Sequence, residues 1–449
     1  MILTLAAVPF TPPPATSILS FAVVINSVSL TPSSGGGDIN IPLNASTYGV
    51  DLTRLQSDSS FLGQSINSIP VGTYSKLSVN LSAVVTYCAA TISAAGCNTG
   101  SVAKLSKSFA TPTASNFSLS LSGNEQAALR ILINFNNGIT VNANTQAVTD
   151  VDLTATSALT TINLPPAAST LSTGQLDYVD DVTGVVTAAS SDSVTIQTAT
   201  RGSITSLITS SSIGSPNCVI GNQLCTPKVG QVASIDATLN SDGTTTLLQF
   251  DPLTTTSEDL VEGIVTTLNT SSTQFQIVTN DYVPANSGSG LGSNLSLGDV
   301  VNVTLSNSVL PFVIDTKGLP VVNSVFGGST SATDILPGQT VLLHVTDFTG
   351  VSGNKPASAT VDALVLRFTR VAGSVSAPPA PNFSIQSLPP FFGISSPIQV
   401  QLGTGSPSTV LDGYTDTGSF AVGDNVAIRA LYFGSSVAPS FTAAKVRKN

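Results

Sequence analysis

Apolar and polar side chains alternate along many short segments of the chain. Phe21, Val23 and Ile25 alternate with smaller neighbours, and comparable runs lie near Leu77 and Phe117. A period of two places the apolar residues on one face of a β-strand and the polar residues on the other. The pattern therefore predicts an all-β protein.

The first block of alternating segments spans residues 17–162 and ends at a linker. Within it, Asn137-Gly138 in LINFNNGITV supplies the positive φ angles of a tight hairpin turn. The stretch NLPPAASTLSTGQ, at residues 163–175, is rich in Pro, Ser and Thr and is expected to connect domains. We predict that the block is an antiparallel β-sandwich, preceded by an apolar, Pro-rich N-terminal arm at residues 1–16.

A short phrase recurs after this linker. It reads VGQVASID from Val229, LGDVVNVT from Leu297, LPGQTVLLHV from Leu336 and VGDNVAIR from Val422. Three of the copies follow a longer segment in which a glycine precedes alternating apolar residues, at Gly184, Gly263 and Gly373. The repetition indicates three copies of one small β module, with LGDVVNVT forming an extra hairpin in the middle copy.

Each module is predicted to be a small β-barrel. A glycine inside a strand commonly marks a bulge where a barrel bends, and Gly followed by Gln or Asp forms a turn into the next strand. About five short strands with a bulged first strand are typical of the OB type of barrel. The predicted fold is an N-terminal β-sandwich followed by three OB-like β-barrel modules in tandem, at residues 176–256, 257–370 and 371–449.

The composition narrows the classes of function. Charged residues make up only 9% of the 449 residues, Trp is absent, and the formal net charge is −10. A nucleic-acid groove requires clustered Lys and Arg, so no nucleic-acid partner is expected. No stretch approaches the roughly 20 uninterrupted apolar residues of a transmembrane helix. The low charge offers little repulsion against self-association, which suits a polymer.

The four cysteines form two close couples, Cys88 with Cys97 and Cys218 with Cys225. Each couple lies within one Ser/Gly/Asn-rich segment, which favours the local disulfides among the possible pairings. The spacings and the single histidine disfavour a zinc site. Local disulfides indicate an oxidising compartment, and therefore export.

Candidate catalytic residues are few. His344, the sole histidine, lies in the alternating segment TVLLHVTDF, where a structural role is favoured over general base catalysis. Carboxylates pair up in predicted linkers or turns, without the aromatic walls of a glycosidase cleft: Asp150 with Asp152, Asp180 with Asp181, Glu258 with Asp259, and Asp412 with Asp416. We expect no enzymatic activity and no cofactor. The loop LDGYTDTG makes Asp412 and Asp416 weak candidates for calcium, although an Asx-type turn is favoured.

Two parts of the chain resemble known families. The segments FAVVINSVSLTP, VDLTRLQSDSSFLG and IPVGTYSKLSVNLS, between Phe21 and Ser82, resemble domain of unknown function 4382, found in exported bacterial proteins. The repeats with GVV…VTIQT and VGQVASID resemble domain of unknown function 5666, and the combination is typical of acidobacterial exported proteins. Together the resemblances cover most of residues 17–449. They imply a secreted or surface-attached β protein and no particular reaction.

The N-terminal segment MILTLAAVPF carries the apolar residues Ile2, Leu3, Leu5, Val8 and Phe10, followed by the Pro-rich TPPPATS. It is either the remnant of a signal segment or a donor strand on a stiff arm. A donor strand completes the open sheet of a neighbouring molecule, and contacts of that kind propagate into filaments.

Two functions follow as expectations from these patterns. The first is a secreted, non-catalytic structural protein of the bacterial cell surface, which polymerises into a fibre through its N-terminal arm. The alternative is an adhesin that binds surface glycans through its OB-like modules.

Overall fold

The computed structural model describes most of the chain. The described residues are 1–11, 16–64, 69–89, 95–97, 100–122, 127–164, 175–214, 225–268, 273–306, 310, 312–321, 326, 331–353, 355–378, 382–393, 397–405, 407–434 and 439–449. Among them the structure is almost entirely β, which confirms the predicted fold class. The described helices are four or five residues long, and none of them has the length and apolar character to cross a membrane.

Two large sheets and a separate two-stranded sheet, of strands Ile139–Asn142 and Ala147–Val151, form the N-terminal domain. Its strands are β1 (Ile2–Val8), β2 (Ile18–Pro32), β3 (Ile39–Ile41), β4 (Tyr48–Asp51), β5 (Ser60–Gln64), β6 (Gly72–Cys88), β7 (Val102–Ser108), β8 (Thr113–Leu121), β9 (Ala128–Asn134), β10 (Ile139–Asn142), β11 (Ala147–Val151) and β12 (Leu159–Asn163). One large sheet has the order β12-β9-β1-β5, and the other is built on the long pair β2 and β6, with β3 and β4 on β2 and β7 and β8 on β6. Their inner faces share one core that contains Leu5, Phe21, Leu81 and Ile131, so the domain is a β-sandwich.

The first strand has a place that the sequence did not predict. β1 lies between β9, to which it is parallel, and β5, to which it is antiparallel. Leu3 and Leu5 are completely buried, Ile2 is 4% exposed, and Phe10 packs against the core beyond the end of the strand at Val8. The sequence suggested a signal remnant or a donor strand for a neighbouring molecule, and in this structure the segment fills the middle of a sheet of its own chain.

The predicted hairpin at Asn137-Gly138 is also wrong. Residues Phe135–Gly138 form a short helix, α1, whose first turn is capped by the Asn134 side chain accepting from the Asn136 N–H at 2.9 Å. The strand before α1, β9, belongs to the sheet with β1, whereas the strand after it, β10, pairs with β11. The chain therefore changes sheets at this point.

Three barrels follow with the same topology. Barrel 1 contains β13 (Gln175–Ala189), β14 (Ser193–Gln197), β15 (Ser203–Leu207), β16 (Ile213–Gly214), β17 (Val232–Asn240) and β18 (Thr245–Pro252). Barrel 2 contains β19 (Leu260–Leu268), β20 (Gln274–Val283), β21 (Val300–Leu305), β22 (Phe312–Ile314), β23 (Thr340–Thr349) and β24 (Ala357–Arg367), with a short helix α2 (Gly290–Asn294). Barrel 3 contains β25 (Thr369–Ala377), β26 (Phe383–Gln386), β27 (Ile398–Leu402), β28 (Val410–Asp412), β29 (Asn425–Phe433) and β30 (Ser440–Lys448). Single 3₁₀ turns occur at Arg54–Gln56, Ala332–Asp334, Pro390–Phe392 and Thr417–Ser419.

Each barrel has five main strands, counted without the short strands β16, β22 and β28. The first main strand pairs with the second and the fourth, and the third closes the barrel by pairing in parallel with the fifth. This is the five-stranded closed arrangement that the OB prediction requires. The segment LGDVVNVT is not an extra hairpin, because it forms β21, the third strand of barrel 2. The short β22 occupies the same position against the fifth strand as β16 and β28 do in the other barrels.

The turn glycines of the repeats have the predicted role, whereas Gly184 is regularly paired and is required for close packing instead of for the predicted bulge. Gly230, Gly338 and Gly423 adopt φ values of +92, +94 and +89°, and each N–H donates to a carbonyl of the first strand of its barrel. A Cβ at Gly184, inside the first strand of barrel 1, would lie 2.2 Å from the backbone oxygen of Gln197 on the neighbouring strand. The turn requires left-handed backbone, and the strand requires close approach, so both positions favour glycine.

The barrels are consecutive in sequence but they are not separate in space. Ile2 and Phe61 of the sandwich pack into the core of barrel 1, and Leu431 and Phe433 of barrel 3 pack into the core of barrel 2. The predicted linker at residues 163–175 lies mostly outside the described residues. The four domains thus contact one another along faces that would otherwise meet water.

Candidate functional site: a buried ionic junction between the domains

Most of the chain's basic side chains lie where the four domains meet. Of the 15 Lys and Arg residues, eight form ion pairs while their side chains are 11% exposed or less. We call this cluster the ionic junction; its cations are Arg54, Arg201, Lys317, Arg367, Arg370, Arg429, Lys445 and Arg447, and its anions are Asp58, Asp177, Asp180, Asp181, Asp236, Asp251, Glu262, Asp281, Asp315 and Asp412. A chain with so few charges has therefore placed most of its cations inside.

Asp181 is the centre of the junction. It lies in β13 at a bulge, with a φ of +49°. Its carboxylate accepts two hydrogen bonds from Arg429, both at 2.9 Å, and contacts Arg370 and the Lys317 Nζ, the latter at 2.7 Å. Its backbone oxygen accepts from Arg54 Nη2 at 3.0 Å. One residue of barrel 1 is thus bonded to the sandwich, barrel 2 and barrel 3.

Equivalent positions of the repeats carry complementary charges. Asp236 of β17 and Arg429 of β29 each lie six residues after the glycine of the recurring turn, at 230 and 423 respectively. The Arg429 Nη2 and an Asp236 carboxylate oxygen lie 3.0 Å apart. Barrel 1 therefore carries an anion at the position where barrel 3 carries the cation that pairs with it.

A second set of ion pairs connects barrel 2 with the sandwich and barrel 1. The Glu262 carboxylate contacts Arg54 of the sandwich and the Arg367 Nε, the latter at 3.3 Å. Arg201, in the loop between β14 and β15, donates to Asp281 of β20 at 2.6 Å. All five side chains are at most 7% exposed, so these charges are compensated inside the protein instead of by water.

The last strand of the chain, β30, completes the junction. Its Lys445 lies 3.3 Å from Asp180, and its Arg447 donates to the Asp58 backbone oxygen at 2.8 Å. Arg447 Nε also donates to Asp412 at 2.7 Å. Asp412 is one of the two weak calcium candidates, and the structure directs its carboxylate to this arginine.

Burial and the surrounding charges shift the carboxyl groups in two directions. Burial by itself would raise the pKa of Asp181, but Arg429 and the other neighbouring cations hold it well below its usual range. By contrast, burial outweighs the nearby cations at Asp180 and Asp315 and raises the pKa of each to about 6. Asp181 therefore remains ionised under all ordinary conditions, whereas two other members take up protons in mildly acidic solution.

The disulfide between Cys88 and Cys97, which the spacing predicts, fixes Cys97 of the sandwich at a second contact between domains. The Gly96 N–H donates to the Phe391 oxygen of barrel 3 at 2.6 Å, and the Cys97 N–H donates to the Thr266 oxygen of barrel 2 at 2.7 Å. The cross-link therefore fixes a loop that holds three domains together.

The remaining predicted sites have ordinary structural partners. Cys225 is disulfide-bonded, and its predicted partner, Cys218, lies outside the described residues. The second weak calcium candidate, Asp416, caps the 3₁₀ turn at Thr417–Ser419. In the part of the chain that the structure describes, no three His, Cys, Asp or Glu residues are grouped as ligands for a metal ion.

His344 lies on β23 between two carboxylates. Its Nδ1 contacts Asp362 and its Nε2 lies 3.0 Å from Glu258, so both ring nitrogens are engaged. Asp259, the sequence neighbour of Glu258, instead accepts from Ser289 at 2.7 Å. Glu258 and Asp259 therefore contact different side chains, His344 and Ser289, and do not act as a pair.

The other carboxylate pairs also fail to form a cleft. Asp150 pairs with Lys107 at 2.9 Å, and Asp152 accepts from the Thr154 N–H of its own turn at 2.9 Å. Asp180 and Asp181 do not lie in a turn, as the sequence suggested, because they are part of β13.

The sequence reasoning missed the cations of the ionic junction. The signal was present in the strands NVAIRALYF and AAKVRKN, where Arg429, Lys445 and Arg447 interrupt otherwise uncharged alternation. In a chain with 9% charged residues, charges placed inside strands indicate a buried electrostatic contact more strongly than they indicate a solvated face.

The architecture defines a multidomain all-β protein, in which a sandwich and three OB-type barrels are joined by buried ion pairs. Residues 7–164 match the family model of a domain of unknown function (DUF4382), which supports that assignment for the N-terminal sandwich. No curated protein matches the chain. The resemblance of the barrels to a second family remains a prediction.

Proposed function

We propose that the chain is a non-catalytic structural protein of the bacterial cell surface, which self-associates by exchanging strand β1 between copies. The observation that carries the proposal is the position of β1: it is an interior strand of its sheet, and a Pro-rich connection links it to β2. A strand that pairs on both edges and is joined to its domain by such a connection is the element that a second copy can supply without any new kind of contact.

The contacts of β1 support this exchange. All seven residues from Ile2 to Val8 pair with β9, and four of them also pair with β5. The connection to β2, at residues 9–17, contains four prolines, which favour an extended spacer. A β1 strand that leaves its own sheet and enters that of a neighbour leaves a vacant position behind, so the contact is head-to-tail and propagates.

The rest of the molecule suits a rigid subunit. The ionic junction and the contacts beside the Cys88–Cys97 disulfide fix the four domains relative to one another. Few charges remain on the surface to oppose association. The Cys88–Cys97 disulfide is consistent with an exported protein in an oxidising compartment. The carboxylates and the histidine that were candidates for catalysis are engaged in ion pairs, caps or turns.

The test is refolding of the full chain at high concentration, with or without an excess of a peptide of residues 1–11. Light scattering coupled to size exclusion and negative-stain microscopy measure the assembly. We expect concentration-dependent oligomers or fibres that the peptide suppresses and a scrambled peptide of equal composition does not. A monomer at every concentration, or oligomers indifferent to the β1 peptide, would disprove the exchange.

A further inference from the structure

A groove lies between β7 of the sandwich and barrel 2, outside the ionic junction. It has a cavity volume of about 340 Å3 and is open to solvent. This size is within the range of about 300–1,000 Å3 that is usual for ligand sites. We propose that this groove binds an acidic oligosaccharide.

The groove is formed at the position that OB barrels use for extended ligands. Its floor includes Gln276 of β20 and Val300 of β21, the second and third strands of barrel 2. One wall is formed by Val351, Gly353, Lys355 and Pro356, which lie in the connection between the fourth and fifth strands. Oligosaccharides and oligonucleotides bind OB barrels across these same two strands and this loop.

The second wall comes from the sandwich. Gly100, Val102 and Lys104 line it with alternate residues, opposite Val351 and Lys355 of the loop. Val102 and Lys104 lie on one face of β7, roughly 7 Å apart along the strand, and Gly100 extends this wall in the turn before the strand. Val351 is 50% exposed and offers an apolar surface to the CH face of a sugar ring.

The charges of the groove favour an acidic ligand. Lys104 contacts Asp299, whose other carboxylate oxygen accepts from the Ser296 N–H at 2.7 Å. The negative charge of Asp299 is therefore already compensated by Lys104 and the Ser296 N–H. Lys355 forms no ion pair with any described carboxylate, so its ammonium group gives the groove a positive excess in a chain of net charge −10.

The polar groups of the floor select a sugar over a nucleic acid. Gln276 lines the groove, and its side-chain nitrogen donates to Asn302 of the neighbouring strand at 3.0 Å, so the two amides hold the Gln276 side chain in place for contact with ligand hydroxyls. No aromatic side chain is among the described residues lining the groove, whereas single-stranded nucleic acids require aromatic surfaces for base stacking. The combination of amides, a small apolar surface and one uncompensated lysine fits an oligosaccharide with carboxylate groups.

The experiment is isothermal titration of the full-length protein with a galacturonic acid oligomer and, separately, with the corresponding neutral galactose oligomer. The variants are Lys355→Gln and, as a control, Lys228→Gln, which removes the same charge from an exposed lysine outside the groove. We expect the acidic oligomer to bind, the K355Q variant to bind about tenfold more weakly, and the K228Q variant to match the wild type. Added salt should weaken the binding.

Three results would overturn the proposal. The first is no binding of the acidic oligomer at about 1 mM. The second is equal affinity of the wild type and the K355Q variant. The third is equally tight binding of an oligo-glutamate or a thymidine oligonucleotide, since that would indicate a general anion surface. All of these outcomes are independent of self-association, because the titration works with either a monomer or an oligomer.

Discussion

Replacing Asp181 by Asn tests whether the ionic junction holds the domains together. Asp181 is 1% exposed, and its carboxylate contacts four cations, Lys317, Arg367, Arg370 and Arg429. Asparagine keeps the shape and tolerates the φ of +49° as aspartate does. The substitution therefore removes the charge without forcing the backbone to move.

The expected loss is about 3–5 kcal/mol of the free energy of unfolding, the amount typical of removing one member of a buried ion pair. The four cations retain other anionic partners, among them Asp236 for Lys317 and Glu262 for Arg367, so the loss does not multiply by four. Arg370 and Arg429 are register partners on adjacent strands, and without Asp181 their like charges oppose each other.

Urea denaturation followed by far-UV circular dichroism measures the loss, and small-angle scattering measures whether the domains separate. The control is Asp150→Asn, which breaks the solvent-exposed pair with Lys107 and should change little. The double variant of Asp181→Asn with Arg429→Gln should lose less than the sum of the single variants, because neither charge is then left alone. If Asp181→Asn unfolds at the same urea concentration as the control, the junction is not what holds the domains.

Three further results follow from the structure. Burial raises the pKa of Asp180 to about 6 from its ordinary 3.8, so the folded protein binds a proton that the unfolded chain releases, and the contribution of this group to stability falls as pH rises through that window. In urea titrations, the Asp180→Asn variant should therefore gain stability relative to wild type as the pH rises from about 4 to about 6. A difference in stability that stays constant over this range would contradict the prediction. Replacing Cys88 and Cys97 by Ser should cost about 2–3 kcal/mol and expose the loop to limited proteolysis, and an unchanged cleavage pattern would show that the loop is held without the bond. Gly263→Ala places a Cβ 2.6 Å from a backbone oxygen of β20 and should destabilise barrel 2 by about 1–3 kcal/mol in thermal unfolding, unlike Gly37→Ala, whose Cβ meets nothing within 4 Å.

Local patterns in the sequence were sufficient for the architecture of the barrels. Alternation with a period of two is a property of each strand alone, and the glycines at 230, 338 and 423 are required by the backbone of the turns in which they lie. The alternation and the turn glycines can each be recognised from a few neighbouring residues. For this reason the all-β class, the three OB-like modules and the Cys88–Cys97 bridge were predictable, and the structure contains them.

The place of β1 was decided by residues far away in the sequence. The alternating ILTLAAV predicts a strand, but its partners are residues 60–64 and 128–134, and no pattern near the N-terminus identifies them. Asn137-Gly138 failed for the same reason: the dipeptide allows a hairpin, but the flanking strands pair elsewhere.

The sequence alone thus determined that the chain forms strands and that these recur as three barrel modules, because both patterns depend on neighbours along the chain. Only the tertiary structure decided which outer faces meet. The outer face of a closed barrel has the same alternation whether it contacts water or another barrel, so the sequence around Asp181 does not show that its partners are Arg54 and Arg429. Charges inside the strands indicate that some electrostatic contact is buried, but which charges meet depends on how four folded surfaces pack together, and no single segment contains that information.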